Sequence, residues 1–341
     1  MQLSVIRTLP EMAAIKEEWN RLLFSSASHV PFLRNEYLCA WWETLGGGEW
    51  SAGELYVVIG RNASGELVGI APLFSVENSA GQPAWMLLGS IEISDYLDLI
   101  APPDSLEEFI FELLVFLEKQ HPARYLLLDL YNLLDSSLTL AVLESASSRV
   151  GWKYSLESLQ QCPYIPLPED WDVYLAGIDK KQRHEIRRKM RRAEEYSLPV
   201  NCYIVEDRSA LEADMESFFE LMAKDPEKEL FLTQAMRAQM KNSMRIAFDQ
   251  GWLQLAFIEV GGKKAAAYLN LDYNNRIWVY NSGYDPEFRD ISPGWVLLGY
   301  LLKWAIKNCR SVFDFMRGNE EYKYRFGAID QRVVRVKISC N

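Results

Sequence analysis

Residues 276–307, RIWVYNSGYDPEFRDISPGWVLLGYLLKWAIK, contain the pattern that decides the fold of this chain. An expected strand over Arg276–Tyr284 is followed by an expected helix over Pro293–Lys307. The strand carries Asn281, Ser282 and Gly283, residues that favour a bulge or splaying within a sheet. The pattern therefore predicts a strand that leaves some backbone groups unpaired just before a helix begins.

The start of this helix has the composition of an anion site. Ser292 is a good N-cap, Pro293 suits the first helical position, and Gly294 removes a side chain that would shield the first amides. No acidic residue follows in the first turn, so the positive end of the helix dipole is left for an external anion such as a pyrophosphate. The matching helix of the first half has Glu107 and Glu108 at its start, so only the second half is expected to hold a phosphate.

The two halves of the chain repeat one order of elements. Each half is predicted to contain a strand, helices, a three-strand meander, a helix and two further strands. Residues 126–130 (LLLDL) correspond to residues 312–316 (VFDFM). A duplication explains this order, and two unrelated α/β domains of similar length are the alternative. Residues 161–168 (QCPYIPLP) contain three prolines and predict an extended linker, which gives domains at 1–160 and 161–341.

Composition narrows the class of protein. A length of 341 residues favours two hydrophobic cores, and a net charge of −11 argues against a long nucleic acid as the main partner. Five scattered cysteines, the lack of a signal sequence and the lack of a long apolar run predict a cytoplasmic protein without a transmembrane segment. His29, His121 and His184 have no neighbouring ligands, so neither a metal site nor a Ser-His-Asp triad is expected.

One segment departs from the acidic composition. Residues 179–195 carry eight Lys or Arg and four acids, a local charge of +4 that leaves −15 for the rest of the chain. Ile178, Ile186, Met190 and Ala193 form one apolar stripe, which is typical of a surface helix. A solvated face is one interpretation, and contact with an anionic acceptor, an acidic lipid surface or transfer RNA is the other.

Several short stretches, in this order along nearly the whole chain, resemble a known family. They are residues 93–98 (ISDYLD), 163–167 (PYIPL), the basic helix, 280–285 (YNSGYD), 292–294 (SPG) and 313–323 (FDFMRGNEEYK). The set resembles the branch of the GNAT superfamily named for a CelD-type cellulose-biosynthesis acetyltransferase, which is related to the Fem-type aminoacyl transferases. The resemblance implies an α/β fold with mixed sheets, arranged as two tandem GNAT-like acyl-CoA N-acyltransferase domains. It also implies that acetyl-CoA or another acyl-CoA binds in the second domain and that an acceptor binds between the two domains.

The candidate residues follow from these patterns. The cofactor is expected to contact Asn281, Ser282, Gly283, Arg289, Ser292, Pro293, Gly294 and Trp295. The catalytic candidates are Asp95 or Glu320 as base and Tyr322 as acid, because amine acylation needs a neutral nucleophile and a proton for the departing thiolate. The candidates for acceptor binding are Tyr96, Asp98, Asp314, Arg317 and Lys323, and of these Arg317 and Lys323 are expected to hold a carboxylate or phosphate of the acceptor. Local ion pairs, Asp314 with Arg317 and Glu320 with Lys323, are the structural alternative.

The sequence thus predicts an N-acyltransferase that moves an acetyl or similar group from acyl-CoA to an amine. A small-molecule or sugar-linked amine is the expected acceptor, such as an amino sugar or sugar nucleotide destined for a cell-surface polysaccharide. Two alternatives remain open. One is a Fem-type ligase that depends on aminoacyl-transfer RNA, and the other is a non-catalytic glycan-binding or scaffold protein that retains the fold.

Overall fold

A computed structural model describes residues 1–120 and 127–340 of the chain. Twelve strands lie within these residues: β1 (Gln2–Ile6), β2 (Glu54–Arg61), β3 (Leu67–Glu77), β4 (Pro83–Leu87), β5 (Leu127–Leu134), β6 (Lys153–Pro166), β7 (Val200–Ile204), β8 (Leu253–Val260), β9 (Lys263–Tyr273), β10 (Arg276–Tyr284), β11 (Val312–Asp314) and β12 (Ile329–Ser339). The α-helices of the same residues are α1 (Leu9–Ala14), α2 (Lys16–Ser25), α3 (Asn35–Gly48), α4 (Pro103–Gln120), α5 (Leu138–Val150), α6 (Trp171–Gly177), α7 (Lys180–Glu194), α8 (Leu211–Met222), α9 (Pro226–Phe231), α10 (Gln234–Asp249), α11 (Pro293–Lys307) and α12 (Glu321–Arg325).

The chain divides into two compact units. The first contains residues 1–161 and 331–341, and the second contains residues 162–330. The sequence placed the boundary at 160/161, one residue away. It also placed the last strand in the second domain, whereas most of β12 belongs to the first unit.

The first unit is built on a mixed sheet with the strand order β1-β2-β3-β4-β5-β12. Strands β1 to β4 pair in an antiparallel manner, β4 pairs parallel with β5, and β12 pairs antiparallel with β5. Arg335 of β12 makes a bidentate ion pair with the buried Asp129 of β5, with N–O distances of 2.6 and 2.7 Å. This pair places the last strand of the chain in the first unit.

The second unit contains a mixed sheet with the order β6-β11-β10-β9-β8-β7, in which β6 contributes its end, Tyr164–Pro166. Strands β7 to β10 form an antiparallel meander, and β11 pairs parallel with β10. Helix α11 packs on β8, β9 and β10, and α7 packs on α11. The apolar residues of α11 supply much of the core of this unit, since its face toward the sheet is fully buried.

The predicted class, α/β with mixed sheets, is confirmed. Helices α10 and α11 and strand β10 have the predicted bounds, and most other elements differ by one to four residues. Both units follow the predicted order of a strand, helices, a meander and a helix. The expected strand over 125–130 is observed from Leu127, and its first two residues, like His121, lie outside the described residues.

Several local predictions are wrong. The sequence pattern predicts a strand over residues 96–100, but none forms there, because Tyr96 adopts a left-handed conformation (φ 58°) and only Ile100 makes a bridge, to Ile70. The pattern also predicts one helix over residues 11–24, and the structure has two helices that meet at Ile15. Residues 161–166 are extended, as predicted, but they form the end of strand β6, in which Pro166 pairs with Val312 of β11, and no separate linker. Helices α6, α9 and α12 were not predicted.

The described residues contain neither a membrane-spanning helix nor a metal-binding cluster. Over residues 1–120 and 127–340, no helix has the length and apolar character needed to cross a membrane. Within the same ranges, His, Cys, Asp and Glu form no group that could hold a metal ion.

Candidate functional site

A cavity of about 350 Å³ lies within the second unit, beside the end of β10 and the start of α11. Its lining residues are Asp225, Lys228, Tyr268, Ser282, Gly283, Tyr284, Gly294, Trp295, Leu298, Glu320 and Tyr322. Six of them were named from the sequence: Ser282, Gly283, Gly294, Trp295, Glu320 and Tyr322. The structure therefore brings the strand pattern, the helix start and the catalytic candidates of the second half together.

Strand β10 opens toward this cavity because only its first part pairs with β11. The two strands pair only over Arg276–Trp278, and the register with β9 shifts between Val279 and Asn281. The predicted bulge and splaying are confirmed. The predicted unpaired backbone is not observed at Ser282, since its N–H donates to the Asn281 carboxamide (2.8 Å) and its carbonyl accepts from Lys228 Nζ (2.6 Å).

Gly283 allows β10 to lie directly against the end of α8. A Cβ atom at this position would be 2.4 Å from the Met222 backbone nitrogen and 2.5 Å from the Leu221 carbonyl carbon. Those contacts are with backbone, which cannot move aside easily. The glycine in the strand is thus explained by close packing rather than by ligand contact alone.

The start of α11 differs from the prediction in one respect. Ser292 adopts a left-handed conformation (φ 53°, ψ 60°), and its side chain makes no capping hydrogen bond. An N-cap hydroxyl needs an extended backbone to reach the first-turn amides, so the predicted Ser292 cap is wrong. The Ser292 carbonyl instead accepts from the amides of Trp295 (3.0 Å) and Val296 (3.1 Å), and the Ser292 amide donates to Arg289.

Among residues 292–295, Gly294 has the one backbone N–H that donates to no acceptor within the part of the chain that the structure describes. Pro293 has no N–H, and the amides of Ser292 and Trp295 are hydrogen-bonded, so the expected set of open amides is smaller than predicted. A Cβ built on Gly294 meets no atom within 4 Å. The first turn of α11 carries no acidic residue, and its positive end therefore faces open space through Gly294.

Trp295 forms one wall of the cavity. Its ring lies 4.6 Å from the ring of Phe326, and the Lys189 ammonium lies 4.1 Å from its ring centroid. The indole Nε1 is buried and has no hydrogen-bond partner among the described residues. The ring is held in place from two sides, so it can pack against a ligand without rearrangement.

Two tyrosines and a glutamate form the polar end of the cavity. Burial raises the pKa of Tyr322 well above its usual value, and the nearby Tyr268 and Glu320 raise it further. A hydrogen bond joins the two hydroxyl groups, either of which can donate, and it lowers the pKa of Tyr268. Burial nevertheless leaves the pKa of Tyr268 above its usual value, so both phenols stay protonated at neutral pH.

Glu320 is held by Lys323. The Lys323 ammonium lies 2.8 Å from a Glu320 carboxylate oxygen and donates to the carbonyls of Gly318 (2.8 Å) and Arg317 (3.3 Å). Burial raises the pKa of Glu320, but the charge and hydrogen bond of Lys323 outweigh it, and the pKa lies below its usual value. Glu320 is therefore ionised at neutral pH, and its side chain is 58% exposed while that of Lys323 is 4% exposed. The predicted pair of Glu320 and Lys323 is observed.

The remaining candidates of the second half do not line the cavity. Asp314 is fully buried and pairs with Arg276 (3.2 Å), and its predicted pair with Arg317 stays a prediction. Arg317 supplies a carbonyl to Lys323. Arg289 is exposed on the turn before α11, and Asn281 holds the Ser282 amide.

Asp95, Tyr96 and Asp98 lie in the first unit and are buried. The Tyr96 hydroxyl accepts from Gln331 Nε2 (3.1 Å). The Asp98 carboxylate accepts from the hydroxyls of Ser28 and Ser137 and from the amide of Leu99, and burial raises its pKa. Asp95, Tyr96 and Asp98 are all almost fully buried, so their predicted roles in base catalysis and acceptor binding stay predictions.

Sequence reasoning missed Asp225, Lys228 and Tyr268. Asp225 caps α9 by accepting from the amides of Glu227 (2.9 Å) and Lys228 (3.3 Å). The Asp225-Pro226 pair is a recognisable helix start, so α9 could have been found from the sequence. Nothing local indicates that Lys228 reaches Ser282, which is 54 residues away.

The basic helix is confirmed as α7, with Asp179 as its N-cap. A second, open concavity of about 840 Å³ lies along it and is lined by His184, Arg187, Arg188, Arg191, Arg192, Glu195, Tyr196 and Ser197. Ion pairs engage Arg188 with Glu185 and Arg187 with Asp172. Arg191 and Arg192 make no ion pair with any described residue, so the concavity carries a positive surplus.

Comparison with known proteins agrees with this geometry. Residues 180–324 match the family model described as an acetyltransferase (GNAT) domain. The second unit has the GNAT acyltransferase fold. No curated protein matches the sequence.

Solved structures extend the similarity to the whole chain. FemX has 12% identity and a TM-score of 0.65, over 99% of this chain and 97% of FemX. A conserved protein of unknown function from Bacteroides thetaiotaomicron has 13% identity and a TM-score of 0.59, over 98% and 99%. L-PGS from Bacillus licheniformis has 10% identity and a TM-score of 0.53, over 88% and 90%. At such identities the likeness concerns the fold alone.

Proposed function

We propose that the second unit transfers an acyl group, acetyl in the first instance, from acyl-CoA to an amine. The observation that carries this proposal is the cavity between the open edge of β10 and the first turn of α11, where Gly294 leaves room for a phosphate at the positive end of a helix. Cofactor contacts are proposed for residues 281–283, Arg289 and residues 292–295. The GNAT fold of the unit supports the reaction class.

The chemistry needs a base and an acid. Glu320 is ionised and lines the cavity, so it can take the proton of the attacking amine, directly or through water. The amine nitrogen then forms a bond to the thioester carbonyl carbon, the carbon–sulfur bond breaks, and the thiolate needs a proton. Tyr268 can donate that proton while the Tyr322 hydroxyl hydrogen-bonds to the phenolate that forms. The predicted acid, Tyr322, is thus proposed to act together with Tyr268.

The acceptor is proposed from the resemblance to the CelD-type branch. It is an amino sugar or sugar nucleotide destined for a cell-surface polysaccharide. We also propose the reducing cytoplasm as the compartment, because all five cysteines are free thiols.

Calorimetry and a product assay test the proposal. Acetyl-CoA titrated into the folded protein is expected to bind with one site per chain, and glucosamine is expected to release free CoA with formation of the N-acetyl product. Absence of binding at millimolar acetyl-CoA contradicts the donor assignment. Binding without product formation from any amine contradicts catalysis and favours the non-catalytic alternative.

A second candidate function rests on the concavity along α7. Arginines present planar, bidentate donors that suit phosphates, and Arg191 and Arg192 are not engaged in ion pairs. An aminoacyl-transfer-RNA-dependent transferase would use such a surface. It predicts binding of aminoacyl-transfer RNA that weakens steeply as the salt concentration rises, and acetyl-CoA would not bind.

A further inference from the structure

Lys228 is the cationic residue of the cavity that the proposed chemistry does not use. It extends from α9, and its ammonium donates one hydrogen bond, to the Ser282 carbonyl at 2.6 Å. The side chain lines the cavity, and burial lowers its pKa even though Asp225 and Glu320 oppose that effect. The Lys228 side chain is therefore partly removed from water and can still reach a ligand in the cavity.

No carboxylate compensates this charge directly. Asp225 is engaged as the cap of α9, and Glu320 is paired with Lys323 at 2.8 Å. Within the described residues Lys228 makes no ion pair, and a single neutral carbonyl accepts only one of its three N–H donors. A partly desolvated ammonium with two donors left over needs acceptors from water or from a ligand, and an anionic ligand is the stronger acceptor.

Lys323 is not available to bind a ligand anion, although the sequence predicted this role for it. Its ammonium is buried and is committed to the Glu320 carboxylate and to backbone carbonyls of residues 315–318. A ligand anion would have to break these contacts to reach it. Lys228 has the same charge and lines the cavity, and two of its N–H donors make no hydrogen bond to a described residue.

We propose that Lys228 binds an anionic group of the acceptor, so that the acceptor is an amine that also carries a carboxylate or a phosphate. This inference rests on the proposed function and adds to it the substrate class. The amine lies toward Glu320 and the anionic group lies toward Lys228, because both residues line one cavity of about 350 Å³. The acceptor is held at two points, which orients its nitrogen for attack.

Matched pairs of amines test this assignment. The protein is first saturated with CoA, and the heat of that binding is recorded. Glucosamine 6-phosphate and glucosamine are then titrated as one pair, and glycine and glycinamide as the other. We expect the charged member of at least one pair to bind about 10- to 100-fold more tightly than the neutral member, as charge-assisted hydrogen bonds do. The pair that shows the difference identifies the anion as phosphate or carboxylate.

Three variants complete the design. Lys228→Met is expected to abolish the difference within the pair, and Lys228→Arg to retain most of it. Lys303→Met, on the exposed face of α11, is the matched control and should behave as wild type. Thermal unfolding of each variant shows that it is folded before binding is compared.

The outcomes separate this inference from the proposed function. Failure of CoA to bind contradicts the proposed function. If CoA binds but the members of each pair bind equally, or neither charged member binds, the inference about Lys228 is wrong and the donor assignment stands. A drop in kcat for charged and neutral acceptors alike in Lys228→Met, with KM unchanged, would also overturn it, since that pattern belongs to stabilisation of the reacting carbonyl.

Discussion

Substitution of Gly294 by glutamate should change donor binding and stability in opposite directions. The fold has room for the side chain, since a Cβ at Gly294 meets no atom within 4 Å. An acid at the start of a helix contributes about 0.3–1 kcal/mol, and replacing glycine within a helix adds about 0.5–1 kcal/mol. We therefore expect Gly294→Glu to unfold at the same or a higher temperature than wild type.

Donor binding should weaken in the same variant. Two unit charges 4 Å apart repel by about 1 kcal/mol in water and about 4 kcal/mol at an effective dielectric constant of 20. A pyrophosphate bound at the first turn of α11 would feel a repulsion within this range. The expected increase in the Kd for acetyl-CoA is therefore about 5-fold to several hundred-fold.

Calorimetry of wild type, Gly294→Glu and Gly294→Gln measures this effect. The glutamine variant has the same shape without the charge, so it should bind acetyl-CoA within a few-fold of wild type. Wild-type affinity in Gly294→Glu refutes a phosphate at this helix start. Equal losses in both variants would show a steric effect and would refute the electrostatic reasoning.

Three further predictions concern single side chains. Tyr322→Phe should lower kcat at least about 10-fold, with little change in the Kd for acetyl-CoA; this is less than the roughly 10²- to 10⁴-fold that a general acid supplies, because Tyr268, the proposed proton donor, remains. In the wild type the raised pKa values of Tyr268 and Tyr322 keep both phenols protonated, so kcat should not fall on the alkaline side below about pH 10. Lys323→Met should lower the free energy of unfolding, measured by urea titration, by about 2–4 kcal/mol, because buried carbonyls lose their hydrogen-bond donor. The same substitution should raise the pKa of Glu320 and so move the acid limb of the pH–rate profile to higher pH. Burial raises the pKa of Asp98 in the folded protein. The folded state therefore has its full relative stability below the pKa of the unfolded chain and loses it as the pH rises through the folded pKa, so the free energy of unfolding of the wild type minus that of Asp98→Asn should fall from about pH 4 upward. A difference that does not change with pH contradicts the assigned shift.

The sequence predicted the elements around the site well where local signals were strong. Ser282 and Gly283 of β10 and Gly294 at the start of α11 line the cavity. Pro293 fixes the first turn and alternating apolar residues fix the strand, so these elements are determined locally. The order of elements in each half followed from the same signals.

Other features depend on contacts between distant residues. Lys228 reaches a carbonyl 54 residues away, and β12 joins the first unit through Arg335 and Asp129, which are 206 residues apart. The left-handed turn at Ser292 replaces the N-cap that its residue type favours. No single-sequence pattern records such contacts, since packing of the whole unit decides them.

Hydrogen exchange with and without acetyl-CoA tests the central assignment most directly, because it locates the ligand without assuming an acceptor. We predict that saturating acetyl-CoA slows exchange in peptides that cover residues 279–284 and 292–298 of the second unit. Protection confined to the first unit, or no change in these two segments at saturation, would contradict the placement of the donor between β10 and α11.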